Sequence, residues 1–441
     1  MDKREIETTV LENASFFEKM SDTIWDYAEI RFQEHRSAKL QKEFLEQEGF
    51  RIKAPIGLLE TAFIAEYGHG KPVIAILGEF DALHGLSQVA GSTEKKELIP
   101  SGNGHGCGHH LLGTAAVEAV FAVRQWMKKN KVDGTIRYYG CPAEEQGAGK
   151  VHMIRAGTFT DVDVALSWHP QQTSFLIDTS PAAVSVVYSF HGKAAHAATN
   201  PHLGRSALDA AELMNIGINY LREHLPPGAT VQYAFINAGG SATNIVPDYA
   251  SAEYTVRALS KQDMDEVFQR ISEMASGAAL MTGTRAERSE ITMAYSDVVN
   301  NYTLLEIVQQ NGAAFSATYS EEDYRQAQRF SGREDNTALN TGAFYYGKMR
   351  GSTDFGDVTH VVPGAAFTMT TFAAGTALHS WSATAQGKLG YAHKGMHRAA
   401  MILAGTAADL FSSPESVIKA RNEFQKKTAG STYESLLPPL K

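Results

Sequence analysis

Ser101-Gly-Asn-Gly-His105-Gly-Cys107-Gly-His109-His110-Leu-Leu-Gly113 is the stretch on which the reading of this chain turns. His105, Cys107 and His109 alternate with glycines, and His110 follows directly. Imidazole and thiolate together suit zinc or another first-row divalent ion. Glycine accepts dihedrals closed to other residues, so the backbone can fold tightly round an ion. Leu111 to Asn130 continues as a long apolar-periodic run that reads as a buried helix, so the cluster falls at a loop-to-helix junction. A glycine-rich turn carrying surface histidines is the plain alternative, and four candidate ligands within six residues argue against it. One loop does not complete a metal site, so the rest of the chain must supply further ligands.

The length of 441 residues exceeds one ordinary core and suggests two or three domains. Apolar content of 43%, charged content of 20% and 38 glycines describe a soluble globular protein. A formal charge of −9 argues against nucleic acid or an anionic membrane as the main partner, while leaving room for a small anionic substrate. With only two cysteines, Cys107 and Cys141, no disulfide framework is expected. No signal-type apolar segment and no membrane-length run is found, and the expected location is the cytoplasm.

Outward from the loop, the apolar spacing of Ile6 to Tyr27 predicts an amphipathic helix, and Ser37 to Gly49 a second. Glu34 between them reads as a solvated helix-end carboxylate. Val73 to Gly78 is almost wholly apolar, as in a strand buried on both faces, and runs into Glu79-Phe-Asp81. Acidic residues past the carboxyl end of such a strand lie where open α/β sheets place their sites. Asp81 is expected to orient a ligating histidine, with a cap or turn carboxylate as the other reading. Gly134 to Gly140 is the next strand and opens into Cys141-Pro-Ala-Glu144-Glu145. The side chains of adjacent acids diverge, so one can bind metal while the other reaches a water. Val162 to Trp168 ends at His169-Pro170, adding a third strand-end candidate at the same sheet edge.

From about Ala182 the pattern changes to β-α-β-β-α-β: Val184 to Phe190, Gly204 to Arg222, Thr230 to Ile236, Ala250 to Ala258, Lys261 to Ala279, and Glu290 to Val298. That order is the split βαβ arrangement of a small two-layer domain, here inserted into the α/β alternation. Alternation resumes with Tyr302 to Ala314 and a strand near Ala366 to Thr371. His379 precedes a last long helix, Ala383 to Ala407, and the polar tail from Ser412 carries no evident signal.

The Gly-His-Gly-Cys-Gly-His loop, Pro-Ala-Glu-Glu, the inserted segment with Gly-Lys-Ala-Ala-His196-Ala, Gly204-Arg-Ser-Ala-Leu-Asp-Ala, Gly239-Gly240 before Asn244-Ile-Val-Pro, Thr353-Asp-Phe-Gly-Asp-Val and the late His379 together resemble the amidohydrolase branch of the dinuclear metallo-carboxypeptidase and aminoacylase superfamily. The likeness covers nearly the whole chain. It implies a phosphorylase/hydrolase-like αβα catalytic domain, residues 1–181 and 299–441, with a ferredoxin-like βαββαβ lid and dimerisation domain, residues 182–298. It implies two divalent ions, manganese or zinc, on Cys107, His109, Glu145, His169 and His379, with Cys107 bridging. Glu144 would be the general base, His196 of a neighbouring lid would steady the carbonyl oxygen, and Asn244 and Arg257 would hold the substrate's carboxylate. Read from its strand alone, Arg257 is a residue in a surface ion pair. Two departures stand out: His110 replaces the aspartate usual after the second loop ligand, and Glu79-Phe-Asp81 replaces an Asp-x-Asp. The expected activity is hydrolysis of an N-acyl amino acid, p-aminobenzoyl-glutamate foremost, by a homodimer or a pair with a homologous subunit. A dipeptidase, another acyl-amino-acid hydrolase and a non-catalytic partner subunit are the rival readings, and the intact ligand set with Glu144 speaks against the last.

Overall fold

Three strands with no exposed side make the floor on which the site is built. The computed structural model describes residues 3–440. In chain order the strands are β1 (Arg51–Lys53), β2 (Phe63–His69), β3 (Val73–Glu79), β4 (Gly134–Cys141), β5 (Val164–Gln171) and β6 (Phe175–Thr179). There follow β7 (Ala182–His191), β8 (Ala195–His196), β9 (Thr230–Asn237), β10 (Ile245–Val246), β11 (Tyr249–Ala258) and β12 (Arg285–Tyr295), then β13 (Tyr346–Lys348) and β14 (Gly364–Thr370). The larger sheet has the order β1-β2-β4-β3-β5-β14-β6-β13, with β4, β3, β5 and β14 mutually parallel at its centre. Every residue of β3 and β14 is buried, as is β5 up to Pro170, which is why these segments read as continuous apolar runs.

Both faces of that sheet are covered, and consecutive tyrosines of β4 show how. Tyr138 donates its hydroxyl to Gln41 on the helix His35–Gln47, while Tyr139 points the other way and donates to the Thr158 carbonyl at 2.6 Å, beyond the helix Gly149–Arg155. On the first face, helix His109–Asn130 packs against helix Gly390–Ser412 and the central strands, with the N-terminal helices outside them. The N-terminal helical pattern breaks at Asn13 into Arg4–Glu12 and Ala14–Tyr27. The last helix also differs from expectation: Trp381–Gln386 stops, and the chain restarts at Gly390. The tail is not featureless, since Pro414 opens the helix Pro414–Lys427.

The smaller sheet is wholly antiparallel, order β12-β7-β11-β9, with helices Ala207–Leu221 and Lys261–Thr282 packed on it, so the βαββαβ order is present. β12 begins five residues before the sequence pattern placed it. Its first half, Arg-Ala-Glu-Arg, is polar because the strand pairs with β7 alone at the sheet's edge, and bulges at Arg288 and Ile291 blur the alternation. The chain divides into two compact units: the residues up to Asp178 with Val299–Lys348 and Val358–Tyr433, and Thr179–Val298 with Met349–Asp357 and the segment from Glu434. Among the described residues no helix is long and apolar enough to cross a membrane.

The helical layer carries one buried charge system. His397 Nδ1 donates to the fully buried Glu118 at 2.9 Å, and its Nε2 lies 3.5 Å from Glu18. Asp22 and His393 form a second pair nearby at 3.0 Å, with Lys394 also near Glu18. Burial alone would depress His397, but the carboxylates of Glu118 and Glu18 outweigh it and lift the imidazole to about 10. A histidine raised on folding contributes stability fully below its ordinary value near 6.5 and loses it as pH rises through the folded value. The melting temperature should therefore fall between about pH 7 and 10, and fall less in His397→Gln. His397→Ala strands Glu118 in the core and should cost about 3–5 kcal/mol, read from denaturant unfolding.

Candidate metal centre

The glycines of the Ser101–Gly113 loop are there for close approach. A Cβ on Gly104 would lie 2.1 Å from the Leu86 carbonyl oxygen, and Gly108 takes φ +83° immediately before the helix begins at His109. The loop thus folds flat against its surroundings and delivers Cys107 and His109 into the space beyond β3, β4 and β5.

Three sets of ligand atoms meet there, each set lying within 4.8 Å: Cys107 with His109 and His169, Cys107 with Glu145 and His379, and Glu79 with His109 and Glu144. Cys107 belongs to two sets and His109 to two. Cys107 Sγ is 3.4 Å from His169 Nε2, and His379 Nε2 is 3.2 Å from Glu145 Oε2. His109 Nε2 is 3.2 Å from Glu79 Oε2 and 3.9 Å from Glu144 Oε2. The histidines are oriented from behind. His109 donates Nδ1–H to Asp81 at 2.8 Å and His169 donates Nδ1–H to its neighbour's carbonyl, Pro170 O, at 2.7 Å, which leaves each Nε2 lone pair facing the centre. His109 Nε2, Glu79 Oε2 and Glu145 Oε1 are buried without a hydrogen-bond partner. Unpartnered imidazole and carboxylate atoms converging with the Cys107 thiol on one buried space are what a first-row divalent ion satisfies; the donor set fits one.

The electrostatics are divided. Burial would lower His109, but Cys107 and Asp81 outweigh it and hold its imidazole well above the ordinary range. Burial with Glu145 holds the Cys107 thiol up, so an ion bound by either would displace a proton. The other groups favour ligation. Burial would raise the Glu145 carboxyl, but His379 and His109 beside it bring it down to about 2. Burial, reinforced by His109, presses His169 down to about 4, so its imidazole is neutral and able to ligate. Burial would raise Glu79 too, and the Lys150 ammonium, with His109, outweighs it and holds that carboxyl below its usual range.

Two histidines of the loop join none of the three sets. His105 turns its Nε2 to the Ile24 carbonyl at 3.1 Å, and His110 turns its Nε2 to the Gly387 carbonyl at 3.1 Å. Burial depresses both, His105 to about 3, so they are neutral clasps that tie the loop to the helix Ala14–Tyr27 and to the break before Gly390. A Cβ on Gly387 would stand 2.6 Å from the His110 ring, so only glycine fits there. Cys141 closes β4, contacts the Tyr139 carbonyl and joins none of the three sets.

Glu34 reverses its expectation. It is fully buried, accepts from Ala143 N at 2.9 Å and from Thr61 Oγ1 at 3.0 Å, and is driven up to about 8 by burial and the nearby Asp81. Ala143, at φ +58°, is the strained residue of the bend that presents Glu144 and Glu145, so Glu34 holds that bend. Only the β-strand-end position of its partner could have pointed to it, and periodicity cannot see that.

In the smaller unit, His196 lies on β8, paired with β10, and the amides of Ala198 and Thr199 donate to its Nδ1 at 3.2 and 3.1 Å. The Asn244 carbonyl accepts from Ala197 N at 2.9 Å, so His196 and Asn244 meet at one two-stranded antiparallel ribbon. Arg257 is not with them. β11 starts at Tyr249, opposite His191, and carries Arg257 eight residues further on, opposite Ala183, about 26 Å away at strand rise; there it donates to Gln232 at 3.2 Å.

Asp81 also accepts from Glu145 N, at 2.9 Å, through its second oxygen. Asp81→Asn should therefore weaken divalent-ion binding by about 10–100-fold, measured by competition with a chromophoric chelator.

Comparison with known proteins shows the family. Residues 181–280 match the peptidase dimerisation domain model of the M20 family. The chain is 39% identical over 452 aligned positions to a p-aminobenzoyl-glutamate hydrolase subunit of Escherichia coli (strain K12), covering 95% of this chain and 94% of that one. It is 30% identical to the Xaa-Arg dipeptidase of Mus musculus, over 82% of this chain and 78% of the relative. Among solved structures it superimposes with a TM-score of 0.64 and 20% identity on a dinuclear metal-binding peptidase of the M20 family from Bacillus subtilis, covering 94% of this chain and all of that one. The chain belongs to the M20 family, as a hydrolase of amide bonds.

Proposed function

We propose that this chain is a divalent-metal-dependent amidohydrolase of N-acylated amino acids, with p-aminobenzoyl-glutamate, cleaved to p-aminobenzoate and glutamate, as its foremost substrate. The observation that carries the reading is the divergence of two adjacent carboxylates: Glu145 joins Cys107 and His379, while Glu144 turns toward His109. The substrate follows from the name and near full-length likeness of the Escherichia coli relative.

Cys107, His109, Glu145, His169 and His379 would hold two ions, with Cys107 shared; the thiolate and imidazoles admit zinc, and the carboxylates admit manganese. Bound ions supply positive charge that eases ionisation of water and polarises the scissile carbonyl. Glu144 takes the proton of the attacking water and delivers it to the departing amide nitrogen, because water is a weak nucleophile and an amide nitrogen a poor leaving group. His196, its Nδ1 occupied by backbone donors, keeps its Nε2–H for the carbonyl oxygen as negative charge develops there. Asn244 and Arg257 grip the substrate carboxylate, Arg257 with the planar two-pronged fit of a guanidinium. Since one chain sets them at opposite ends of β11, they come from two subunits, which calls for a dimer paired through the smaller unit. A homodimer is the simpler form; pairing with a homologous chain is the alternative, suggested by the naming of the Escherichia coli relative as one subunit of a hydrolase. The enzyme works in the cytoplasm on a small molecule, with neither nucleic acid nor membrane as partner.

Ion-loaded wild-type protein assayed on p-aminobenzoyl-glutamate, other acyl-glutamates and Xaa-Arg dipeptides should turn over the first fastest; preference for the dipeptides would assign the dipeptidase reading instead. Glu144→Gln should retain its ions and lose about 10²–10⁴-fold in kcat. Arg257→Ala should raise KM for free-carboxylate substrates and leave the matching carboxamides unchanged, as steady-state kinetics on both would reveal.

A further inference from the structure

The third set of ligand atoms contains a carboxylate that neither the loop nor the Glu144–Glu145 pair provides. Glu79 is the last residue of β3, 2% exposed, and its two oxygens have different surroundings. Oε1 accepts from Lys150 Nζ at 2.6 Å, and Lys150 is itself fully buried, on the helix Gly149–Arg155. Oε2 has no hydrogen-bond partner and lies 3.2 Å from His109 Nε2, the separation of neighbouring ligand atoms about one ion. Backbone packing pins both residues. A Cβ on Gly113 would come within 2.5 Å of the Glu79 carbonyl oxygen, and one on Gly149 within 2.0 Å of the Pro142 carbonyl oxygen.

We infer that Glu79 is a sixth protein ligand of the metal centre, presenting Oε2 alone because Lys150 occupies Oε1, and that Lys150 is its fixed counter-charge. The inference rests on the proposed role of Glu144: if Glu144 is kept for proton transfer, Glu79 is the carboxylate left to the ion that His109 holds.

The test is divalent-ion uptake by the full chain, with manganese and zinc each titrated against a chromophoric chelator. Wild-type protein should take up two ions. Glu79→Gln keeps an oxygen for Lys150 but loses the ligand charge, and one of its two ions should bind at least about tenfold more weakly, the other little changed. Should Glu79→Gln fold poorly, Glu79→Gln/Lys150→Met removes both charges from the core together and should show the same selective loss. Unchanged affinity for both ions in whichever variant folds would make Glu79 only the partner of Lys150 and overturn the inference while leaving the five-ligand reading intact. A wild-type chain that takes up no ion would overturn both.

Discussion

Asp81 is 1% exposed and has two clients: one oxygen accepts from His109 Nδ1, the other from the amide of Glu145. The first fixes the rotation and tautomer of an imidazole on a helix. The second fixes the height of a bend on a different segment, over sixty residues away in the chain. Because the carboxylate is dry, both hydrogen bonds are strong, and losing either would strand a buried acceptor. Glu34 supports the same bend from its other side through Ala143 N. His109 of the loop and Glu145 of the bend are therefore referenced to buried carboxylates just past the end of β3 and before the helix His35–Gln47, and not to solvent-exposed side chains.

Such a centre is unfavourable by itself. Several acids share a volume without water, and the positive φ of Ala143 and of His379 stores backbone strain beside the ligands. It persists because the strands beneath it cannot relax. β3 and β14 are buried throughout, and the helices above them form one continuous apolar core with them. Even the loop histidines that do not ligate serve this rigidity, since His105 and His110 each close a hydrogen bond to the backbone of a neighbouring element. Ion binding then relieves electrostatic repulsion at a place where the backbone has no freedom to do so.

How much of this was legible in the sequence depended on range. Continuous apolar runs ending in acids disclosed the parallel sheet and the side of it that carries chemistry, because burial on both faces leaves a compositional trace in β3, β5 and β14. The ligand types showed for the same local reason: cysteine and histidine spaced by glycine have few other uses. What stayed hidden was set by partners distant in the chain. His105 and His109 look alike in the loop, and only the carbonyl of Ile24 takes the one out of the centre while Asp81 holds the other in it. Glu34 sits at a helix start, where solvated acids are common, and nothing local reveals Thr61 and Ala143 closing over it. The glycine at 387 is required by the His110 ring, again a contact no periodicity records.

The smaller sheet has two unequal edges, and the inequality bears on assembly. β12 is guarded: it bulges twice and begins with Arg285, Glu287 and Arg288, which disfavour continuation by another strand. β9 is open by contrast, eight residues long, and it leaves Phe235 at 41% and Ile236 at 60% exposure with no charged side chain along its length. An unguarded apolar edge is an aggregation hazard unless it has a regular partner. The match of residues 181–280 to a dimerisation domain fits an edge covered on oligomerisation. The ribbon bearing His196 belongs to the Tyr249 end of β11, and Arg257 lies eight residues further along that strand. Edge chemistry and the dimerisation-domain match are separate observations, and both fit oligomerisation through the smaller unit.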